Sequence, residues 1–547
     1  MRMGVEEMNV TDGTIEAAES PFPQTIEHAL ADGRVAVHDP AIAEENGIYY
    51  LFGTHRRFAR SHDMVHWHRF ENNLSRDPYA LLGDIWQQWP KQPSNPDLLG
   101  NIWAPDVIRN DAMGKWCMYL SVNGDQFRSV IVLLTADHLD GDWTYVGPVV
   151  YSGFDAESLW NTDLPRVLEL EQGSRAAADY DFSRYLSLKD TRINAIDAAP
   201  VLCEHGGMWM SVGSWFGGIW MFKLDIATGL RDYSVQYPLA KDETDPYYGV
   251  KIAGGYWNSG EGSYFIRANG WWYLFISYGW LGRTGGYQIR LFRSKSLLGP
   301  YVDQNGNPAI SGGEIPGNQE RGTGIRLTSS VMWRGGPSSL VDVEVSQGHN
   351  SAIRRAKDGR MFLVYHTRFA DRFTDDDDED YESHIRELFP TADGWLVAAP
   401  YEYLDSVASA PACAADIAGN YEVVLHDPHT FFNGGRDDDG NYIGINRPKP
   451  VTFHEDGRIT RGGIVSFFDT PDANLPRKTD GPVICGSWRL AGGGANGPCC
   501  CANDAEIRLD DVTYTGVFAV LPRETDLKSV MTFTAIGGNT CVWGSQV

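Results

Sequence analysis

The segment GEGSYFIRANGWWYLFIS, residues 260–277, contains a complete β-hairpin pattern. Glu261 precedes a short strand-like run, a polar turn with Gly270 follows, and a strongly apolar, aromatic run closes the segment. Runs rich in aromatic and β-branched residues that are separated by a glycine-containing turn are typical of antiparallel strand pairs. This stretch therefore predicts two strands joined by a tight turn.

The same pattern recurs in four other segments of the chain. They are HDPAIAEENGIYYLF (38–52), WAPDVIRNDAMGKWCMYL (103–120), NAIDAAPVLCEHGGMWMSVG (194–213) and GHNSAIRRAKDGRMFLVYHT (348–367). Repeated antiparallel units of this kind form a β-propeller, in which the sheets surround a central channel. We therefore predict an all-β, five-bladed propeller whose first strands line the channel. An irregular all-β protein is the alternative.

A polar residue precedes the turn glycine of every copy by 8 to 10 residues. These residues are Asp39, Asp106, Asp197, Glu261 and His349. Equivalent positions converge at one mouth of the channel, where crowding raises the pKa of at least one carboxyl group while a better-hydrated neighbour stays ionised. One protonated and one ionised carboxyl group are what hydrolysis of a glycosidic bond requires.

Tryptophans in predicted loops and at strand ends also favour a sugar ligand, because aromatic rings stack on the apolar faces of sugars. They are Trp86, Trp89, Trp103, Trp215, Trp257 and Trp280. Taken singly, each of them is better explained by packing, and it is the set that favours a carbohydrate.

The pattern changes after about residue 410. ASAPACAAD (408–416) has the composition of an interdomain linker, and alternating strands without the hairpin pattern follow it. We predict three parts: an N-terminal extension (1–34), the propeller (35–407) and a smaller antiparallel β-barrel or β-sandwich domain (411–547).

Composition excludes several classes of function. The 547 residues carry a net charge of −26, which repels nucleic-acid phosphates and anionic lipids. No stretch reaches the ~18 consecutive apolar residues of a membrane helix. Residues 1–34 lack the pattern of a secretory signal and the adjacent cysteines 499–501 are poor disulfide partners, so we expect a cytoplasmic protein. We also expect it to be a monomer. A secreted protein whose signal has been removed is the alternative.

Six motifs resemble glycoside hydrolase family 43. They are HDP (38–40), IWAPDV (102–107), NAIDAAPV (194–201), EGSYF (261–265), the stretch from LFIS to SLLGPY (274–301) and GHNS (348–351). The likeness is greatest to the arabinanase branch of the family, and it implies an inverting hydrolase of α-1,5-linked L-arabinan or arabino-oligosaccharides. The chain beyond the propeller resembles the small β-barrel domain of the longer, two-domain arabinanases.

The resemblance also implies residue roles. Asp39 would be the general base that activates water, Glu261 would be the general acid, and Asp197 would orient that acid and raise its pKa. His349 would hold a calcium ion or a similar cation whose shell is completed by water. The substrate-binding residues that it implies are Trp103, Asp106, Asn194, Ser214 and Ser277.

Several alternatives stay open. The long segments 71–100 and 152–193 would make the enzyme exo-acting if one of them blocks an end of the cleft. An α-L-arabinofuranosidase, a β-xylosidase or a xylanase of the same family is the nearest rival. A non-catalytic carbohydrate-binding propeller is the rival from another class, and the presence of all three carboxylates argues against it. We interpret DDDDED (375–380) as a solvated loop in blade 5 and RDDDGN (436–441) as a turn.

Overall fold

The fold is known from a computed structural model. It describes residues 33–88, 102–123, 128–186, 193–258, 260–313, 322–333, 336–337, 343–372, 380–406, 408, 413–462, 482–490 and 503–547.

Five antiparallel sheets, here called blades 1 to 5, follow one another along the chain. Blades 1 and 2 contain β1 (Ala41–Glu45), β2 (Ile48–Gly53), β3 (Arg57–Ser61), β4 (His68–Arg69), β5 (Ile102–Asn110), β6 (Lys115–Asn123), β7 (Ser129–Ala136) and β8 (Thr144–Ser152). Blade 3 contains β9 (Ala199–Leu202), β10 (Met208–Val212), β11 (Ile219–Leu224), β12 (Thr244–Asp245) and β13 (Gly249–Ala253). Blade 4 contains β14 (Glu261–Ala268), β15 (Trp271–Tyr278), β16 (Gln288–Ser294) and β17 (Ile325–Arg326). After the short pair β18 (Met332–Trp333) and β19 (Gly336–Pro337), blade 5 contains β20 (Glu344–Arg354), β21 (Met361–Phe369), β22 (Tyr381–Pro390) and β23 (Leu396–Ala398).

The first strand of each blade lies at one edge of its sheet, and these five strands contact one another in a closed ring. Strand β5 contacts β1 and β9, strand β14 contacts β9 and β20, and strand β20 contacts β1. A closed ring of five sheets is a five-bladed propeller, and its first strands surround the central channel. The predicted fold class is therefore confirmed.

The second strand of each blade supplies much of the core. All nine residues of β21 are buried, as are eight of the nine in β6 and seven of the eight in β15. These strands are apolar along both faces because each sheet is covered by a neighbouring blade on either side. The aromatic runs that marked the repeats in the sequence are these strands.

The N-terminal segment closes the ring by pairing with the last blade. The amide of Ser383 in β22 donates to the carbonyl of Val35 at 2.9 Å, and its hydroxyl donates to the carbonyl of Val37 at 2.8 Å. Arg34 forms an ion pair of 2.7 Å with Glu402, which follows β23. Blades 1 and 5 are therefore joined by segments from opposite ends of the propeller sequence.

Short helices occupy the two long connections between blades. The connection after β4 contains α1 (Asn73–Arg76) and α2 (Pro78–Gln88). The connection after β8 contains α3 (Leu164–Val167), α4 (Arg175–Asp179) and α5 (Ser183–Leu186), with a 3-10 turn at Ser158–Asn161. Since the strands of a blade alternate in direction, both connections begin and end on the face where the first strands start.

A closed eight-stranded antiparallel barrel follows the propeller, and it is one of the two architectures predicted for the second domain. After α6 (Ala414–Ile417) it contains β24 (Gly419–Leu425), β25 (Lys449–Phe453), β26 (Arg458–Gly462), β27 (Pro482–Leu490), β28 (Asn503–Leu509), β29 (Val512–Pro522), β30 (Ser529–Gly537) and β31 (Thr540–Gln546).

The barrel packs directly on blades 4 and 5. One buried apolar cluster contains Trp395 and Leu396 of the propeller together with Trp543 of the barrel. The amide of Asn539 in the barrel donates to Asp303 of blade 4 at 2.7 Å. The two domains therefore share part of their core.

The remaining predictions concern the two acidic segments, the adjacent cysteines and membrane helices. Residues 436–441 form the predicted turn, in which the amide of Asp437 donates to the carbonyl of Asn441 at 2.8 Å. DDDDED lies almost wholly outside the described residues, and cysteines 499–501 lie entirely outside them. The described part of the chain contains no helix long and apolar enough to cross a bilayer.

Candidate active site

Each blade carries a residue with left-handed backbone either just before its first strand or within it. The φ angles are 54° at Asp39, 39° at Ala104, 58° at Asp197, 58° at Gly262 and 44° at His349. Non-glycine residues adopt this conformation at a cost of about 1–2 kcal/mol each, and such strain concentrates at functional sites.

These backbone positions correct the predicted equivalence of five polar residues. The prediction is right for Asp39, Asp197 and His349. In blades 2 and 4, however, the equivalent residues are Ala104 and Gly262. The pairing register shifts between Trp103 and Asp106 and again between Glu261 and Tyr264, so the left-handed residue of each of these blades lies in a bulge and the acid lies beside it. Spacing to the turn glycine does not reveal such a bulge.

The left-handed residues surround a pocket of about 270 Å³. Asp39, Asp106, Asp197 and His349 all line it, and Gly262, the neighbour of Glu261, lies in the same wall. The structure thus brings the predicted carboxylates and the predicted histidine together at the channel.

The Asp39 carboxylate is buried and surrounded by hydrogen-bonding partners. The hydroxyl of Thr54 donates to its Oδ2 at 2.5 Å. Its Oδ1 lies 2.9 Å from Nδ1 of His38, 3.1 Å from Nδ1 of His349 and 3.6 Å from Nδ1 of His366. Burial alone would raise the pKa of Asp39, but the imidazoles of His349 and His38 hold it well below its usual range. Asp39 is therefore ionised because of its partners, and better hydration is not the cause.

Asp197 and Glu261 are linked through the backbone between them. The amide of Gly262 donates to Oδ2 of Asp197 at 3.1 Å. Burial, followed by the charge of Asp39, raises the pKa of Asp197 to about 8. Burial, followed by the charge of Asp197, raises the pKa of Glu261 to about 7. Burial and mutual repulsion therefore keep at least one proton on this pair of acids near neutral pH, while Asp39 is an anion.

Both carboxyl oxygens of Glu261 accept a hydrogen bond. The hydroxyl of Tyr287 donates to Oε1 at 2.7 Å, and Nε1 of Trp215 donates to Oε2 at 2.9 Å. Trp215 itself has left-handed backbone, with φ of 42°. The orientation of the carboxyl group is therefore set from two sides.

Asp106 is also buried in the pocket wall. Burial raises its pKa to about 8, although the amide of Val107 donates to its Oδ1 at 2.7 Å. At neutral pH it is protonated and can both donate and accept hydrogen bonds.

His349 lies against blade 4. Its amide donates to the hydroxyl of Ser277 at 2.7 Å, and its ring covers Gly262 so closely that a methyl group there would lie 3.0 Å from the ring. The amide oxygens of Gln347 and Asn350, on the same strand, are buried without a hydrogen-bond partner. An imidazole with amide oxygens nearby is compatible with Ca²⁺, which takes oxygen ligands and completes its shell with water.

A second group of possible metal ligands consists of His38, Asp39 and His366, whose ligand atoms lie within 4.8 Å of one another. Two imidazoles and one carboxylate suit a transition metal better than calcium. This group includes the predicted base, Asp39.

The other predicted substrate-binding residues differ in exposure. Asn194, Ser214 and Ser277 are buried, and none of them lines the described pocket. Trp103 is half-buried, while Trp257 and Trp280 are exposed by 42% and 62%. The side chains of Trp86 and Trp89 lie outside the described residues. Substrate contact by these residues stays a prediction.

The side chains that set the pKa and the orientation of the two acids could not be identified from the sequence. Thr54, Tyr287 and His366 contact Asp39 or Glu261 but belong to other strands or loops. His38 could have been predicted as a partner of Asp39, because it precedes Asp39 in the HDP motif.

Comparisons with known proteins agree with this geometry. The profile of the glycosyl hydrolases family 43 matches residues 33–167 and 174–325, and that of a C-terminal lipocalin-like domain matches residues 400–544. The chain belongs to glycosyl hydrolases family 43. This family 43 protein is therefore a glycosidase.

Two curated relatives extend over nearly the whole of this family 43 chain. The extracellular endo-α-(1→5)-L-arabinanase of Thermotoga petrophila is 30% identical over 522 residues, which cover 93% of each chain. The extracellular endo-α-(1→5)-L-arabinanase 2 of Bacillus subtilis is 29% identical over 521 residues, covering 94% of this chain and 93% of the relative. The crystal structure of the endo-1,5-α-L-arabinanase from T. petrophila superimposes with a TM-score of 0.69 at 27% identity, over 94% of this chain and 99% of that one.

Proposed function

We propose that this glycosidase hydrolyses α-1,5-linked L-arabinan and arabino-oligosaccharides with inversion of configuration. The observation that carries the proposal is the unequal protonation of two neighbouring carboxyl groups, since Asp39 is held ionised and Glu261 is held protonated. The nearly full-length similarity to two endo-arabinanases supports arabinan as the substrate and endo action as the mode.

Asp39 serves as the general base. Its carboxylate accepts a proton from a water molecule, which then attacks the anomeric carbon. Thr54 and His349 fix its two oxygens, so the carboxylate does not need to reorient during the reaction. The low pKa of Asp39 keeps the base available down to acidic pH.

Glu261 serves as the general acid. It gives its proton to the departing glycosidic oxygen, and its pKa of about 7 keeps it mostly protonated in weakly acidic solution and about half protonated at pH 7. Asp197 contributes in two ways. Its charge, when present, raises the pKa of Glu261, and its bond to the amide of Gly262 fixes the backbone beside the acid.

We further propose that His349 binds a calcium ion. The buried amide oxygens of Gln347 and Asn350 on the same strand support this assignment. A cation there would offset part of the negative charge of the neighbouring carboxyl groups.

The compartment and the oligomeric state of the protein are also predictions. The relatives named extracellular support the secreted alternative over the cytoplasmic one. A monomer stays the expectation.

Debranched arabinan tests the proposal. The protein is incubated with this polymer, and with xylan and arabinoxylan in parallel, and products are followed by anion-exchange chromatography. Endo action predicts a ladder of arabino-oligosaccharides at early times. Monosaccharide alone from the start would overturn endo action, release from xylan alone would change the substrate, and no release from any polymer would contradict the proposed activity.

A further inference from the structure

The connection between β24 and β25, residues 426–448, leaves the barrel and packs on the propeller. The amide of Asn446 donates to the carbonyl of Ser330 at 2.8 Å, and that of Met332 donates back to the carbonyl of Asn446 at 3.2 Å. Nearer its middle, Nη2 of Arg436 donates to Asp371, in the loop after β21, at 2.8 Å. The connection is therefore held against the propeller at its middle and near its C-terminal end.

The same connection contacts the loop between β15 and β16. A methyl group on Gly286 would lie 3.0 Å from Cγ of Phe431, so the phenyl ring rests directly on the backbone of Gly286. The Arg283 guanidinium lies 5.5 Å from the ring of Phe432. Gly286 has φ of 72°, a conformation that favours glycine and leaves its surface open to the ring.

The residue after Gly286 is Tyr287, which donates a hydrogen bond to Glu261. Tyr287 is 1% exposed. Its ring lies against Gly348, where a methyl group would come within 2.0 Å of it, and it stacks on His366 at a centroid distance of 5.7 Å. The ring of Tyr287 is fixed on these sides by the propeller, and Phe431 covers the backbone of the preceding residue, Gly286.

We propose that the C-terminal domain positions the catalytic acid, because Phe431 holds Gly286 and thereby sets the hydroxyl of Tyr287 against Glu261. Phe431 and Tyr287 are positioning residues and neither is given a proton-transfer role. The inference rests on the proposed role of Glu261 as general acid.

The consequence for the reaction follows from geometry. Displacement of a reacting group by about 1 Å costs up to about 100-fold in rate. Tyr287 also donates to the ionised form of Glu261, so its loss weakens the stabilisation of that form. A displaced Tyr287 should therefore slow proton donation and move the alkaline limb of the pH profile to higher pH.

The test uses the full-length variants Phe431→Ala and Tyr287→Phe. Each is assayed on linear arabinan and on an arabino-oligosaccharide with a dinitrophenyl leaving group, which departs without protonation. Ile484→Ala is the matched control, since it shortens an apolar side chain of the barrel that is 59% exposed. Near-ultraviolet circular dichroism establishes that each variant is folded at the assay temperature.

We expect both variants to lose about 10-fold or more in kcat on arabinan and less than about threefold on the activated substrate. Their alkaline limbs should both move upward, and the control should match the parent protein. A folded Phe431→Ala variant with normal kcat and an unmoved limb would overturn the inference. Equal losses on both substrates would also overturn it, since they would indicate a general structural effect.

A wrong assignment of Glu261 as the general acid would give a different set of results. If Glu261→Gln retains full activity on arabinan, the acid has been misassigned, whatever Phe431→Ala does. If Glu261→Gln is inactive on arabinan while Phe431→Ala behaves as the parent, only the positioning role is wrong.

Discussion

Replacement of Glu261 by glutamine removes a proton donor and preserves the shape of the site. The indole of Trp215 is a donor only, so the amide oxygen of the glutamine must face it at the present 2.9 Å. The amide nitrogen then faces Tyr287, whose hydroxyl can accept as well as donate. The variant should therefore fold normally and bind substrate within about threefold of the parent, because no buried polar group loses its partner.

The size of the effect follows from the role of the residue. General acid catalysis contributes about 10²–10⁴-fold in rate, which corresponds to about 3–5 kcal/mol of transition-state stabilisation. With a pKa of about 7, Glu261 is about nine-tenths protonated at pH 6, so the parent enzyme there has nearly the whole benefit. The loss in Glu261→Gln should thus be full at pH 6 and smaller at pH 8.

The assay is chromatographic release of products from linear arabinan at pH 6 and pH 8. Glu455→Gln, an exposed carboxyl group in the barrel, is the control for removal of one charge. The dinitrophenyl substrate should restore most of the activity of Glu261→Gln. A variant within about threefold of the parent on arabinan at pH 6 would refute the assignment of the acid.

Three further predictions concern pH and metal. The kcat/KM of the parent enzyme should fall about tenfold per pH unit above pH 7 as Glu261 loses its proton, and should show no acid limb near the usual carboxyl pKa of about 4 because that of Asp39 is lowered. The pKa of Asp106 is about 8 in the folded protein and about 4 in the unfolded chain, so the folded state binds this proton more tightly. The free energy of unfolding therefore has its full contribution from this proton below pH 4 and loses it as the pH rises to 8. Urea titrations of Asp106→Asn should therefore show a pH dependence shallower by about 1.4 kcal/mol per unit between pH 5 and 8, and an unchanged slope would contradict the burial argument. Exhaustive chelation should lower the melting temperature and the activity, calcium should restore both, and His349→Ala should abolish that response; no change on chelation would remove the metal.

The repeated hairpins could be predicted because their signals are local. A turn glycine such as Gly270 and the aromatic run after it lie within 18 residues, and periodicity reports them directly. The bulges could not be predicted, since a bulge depends on how the partner strand pairs. For that reason the expected equivalence of Asp106 and Glu261 with Asp39 is wrong by one or two residues.

The environment of each acid depends on contacts that are distant in the chain. His366 lies 327 residues from Asp39. Tyr287 immediately precedes β16, and β15 lies between β16 and the strand of Glu261. The predicted split between an ionised and a protonated acid is present, but its cause had to come from the structure. The carboxylate that stays ionised is buried among imidazoles, whereas the sequence argument assumed that it would be the better hydrated one.

The reach of the C-terminal domain is a similar case. Residues 426–448 contain no sequence pattern that indicates contact with the propeller. Only the structure shows that this connection extends out of the closed barrel and packs there. Phe431 has no distinguishing feature in the sequence, and only the structure shows its contact with Gly286.

The central claim is that Asp39 acts on water and never bonds to the sugar. Proton NMR of the first-formed reducing end tests this most directly, before mutarotation mixes the anomers. A single displacement by water at an α-linkage predicts that the β-anomer appears first. First appearance of the α-anomer would require a covalent glycosyl intermediate and would contradict the account.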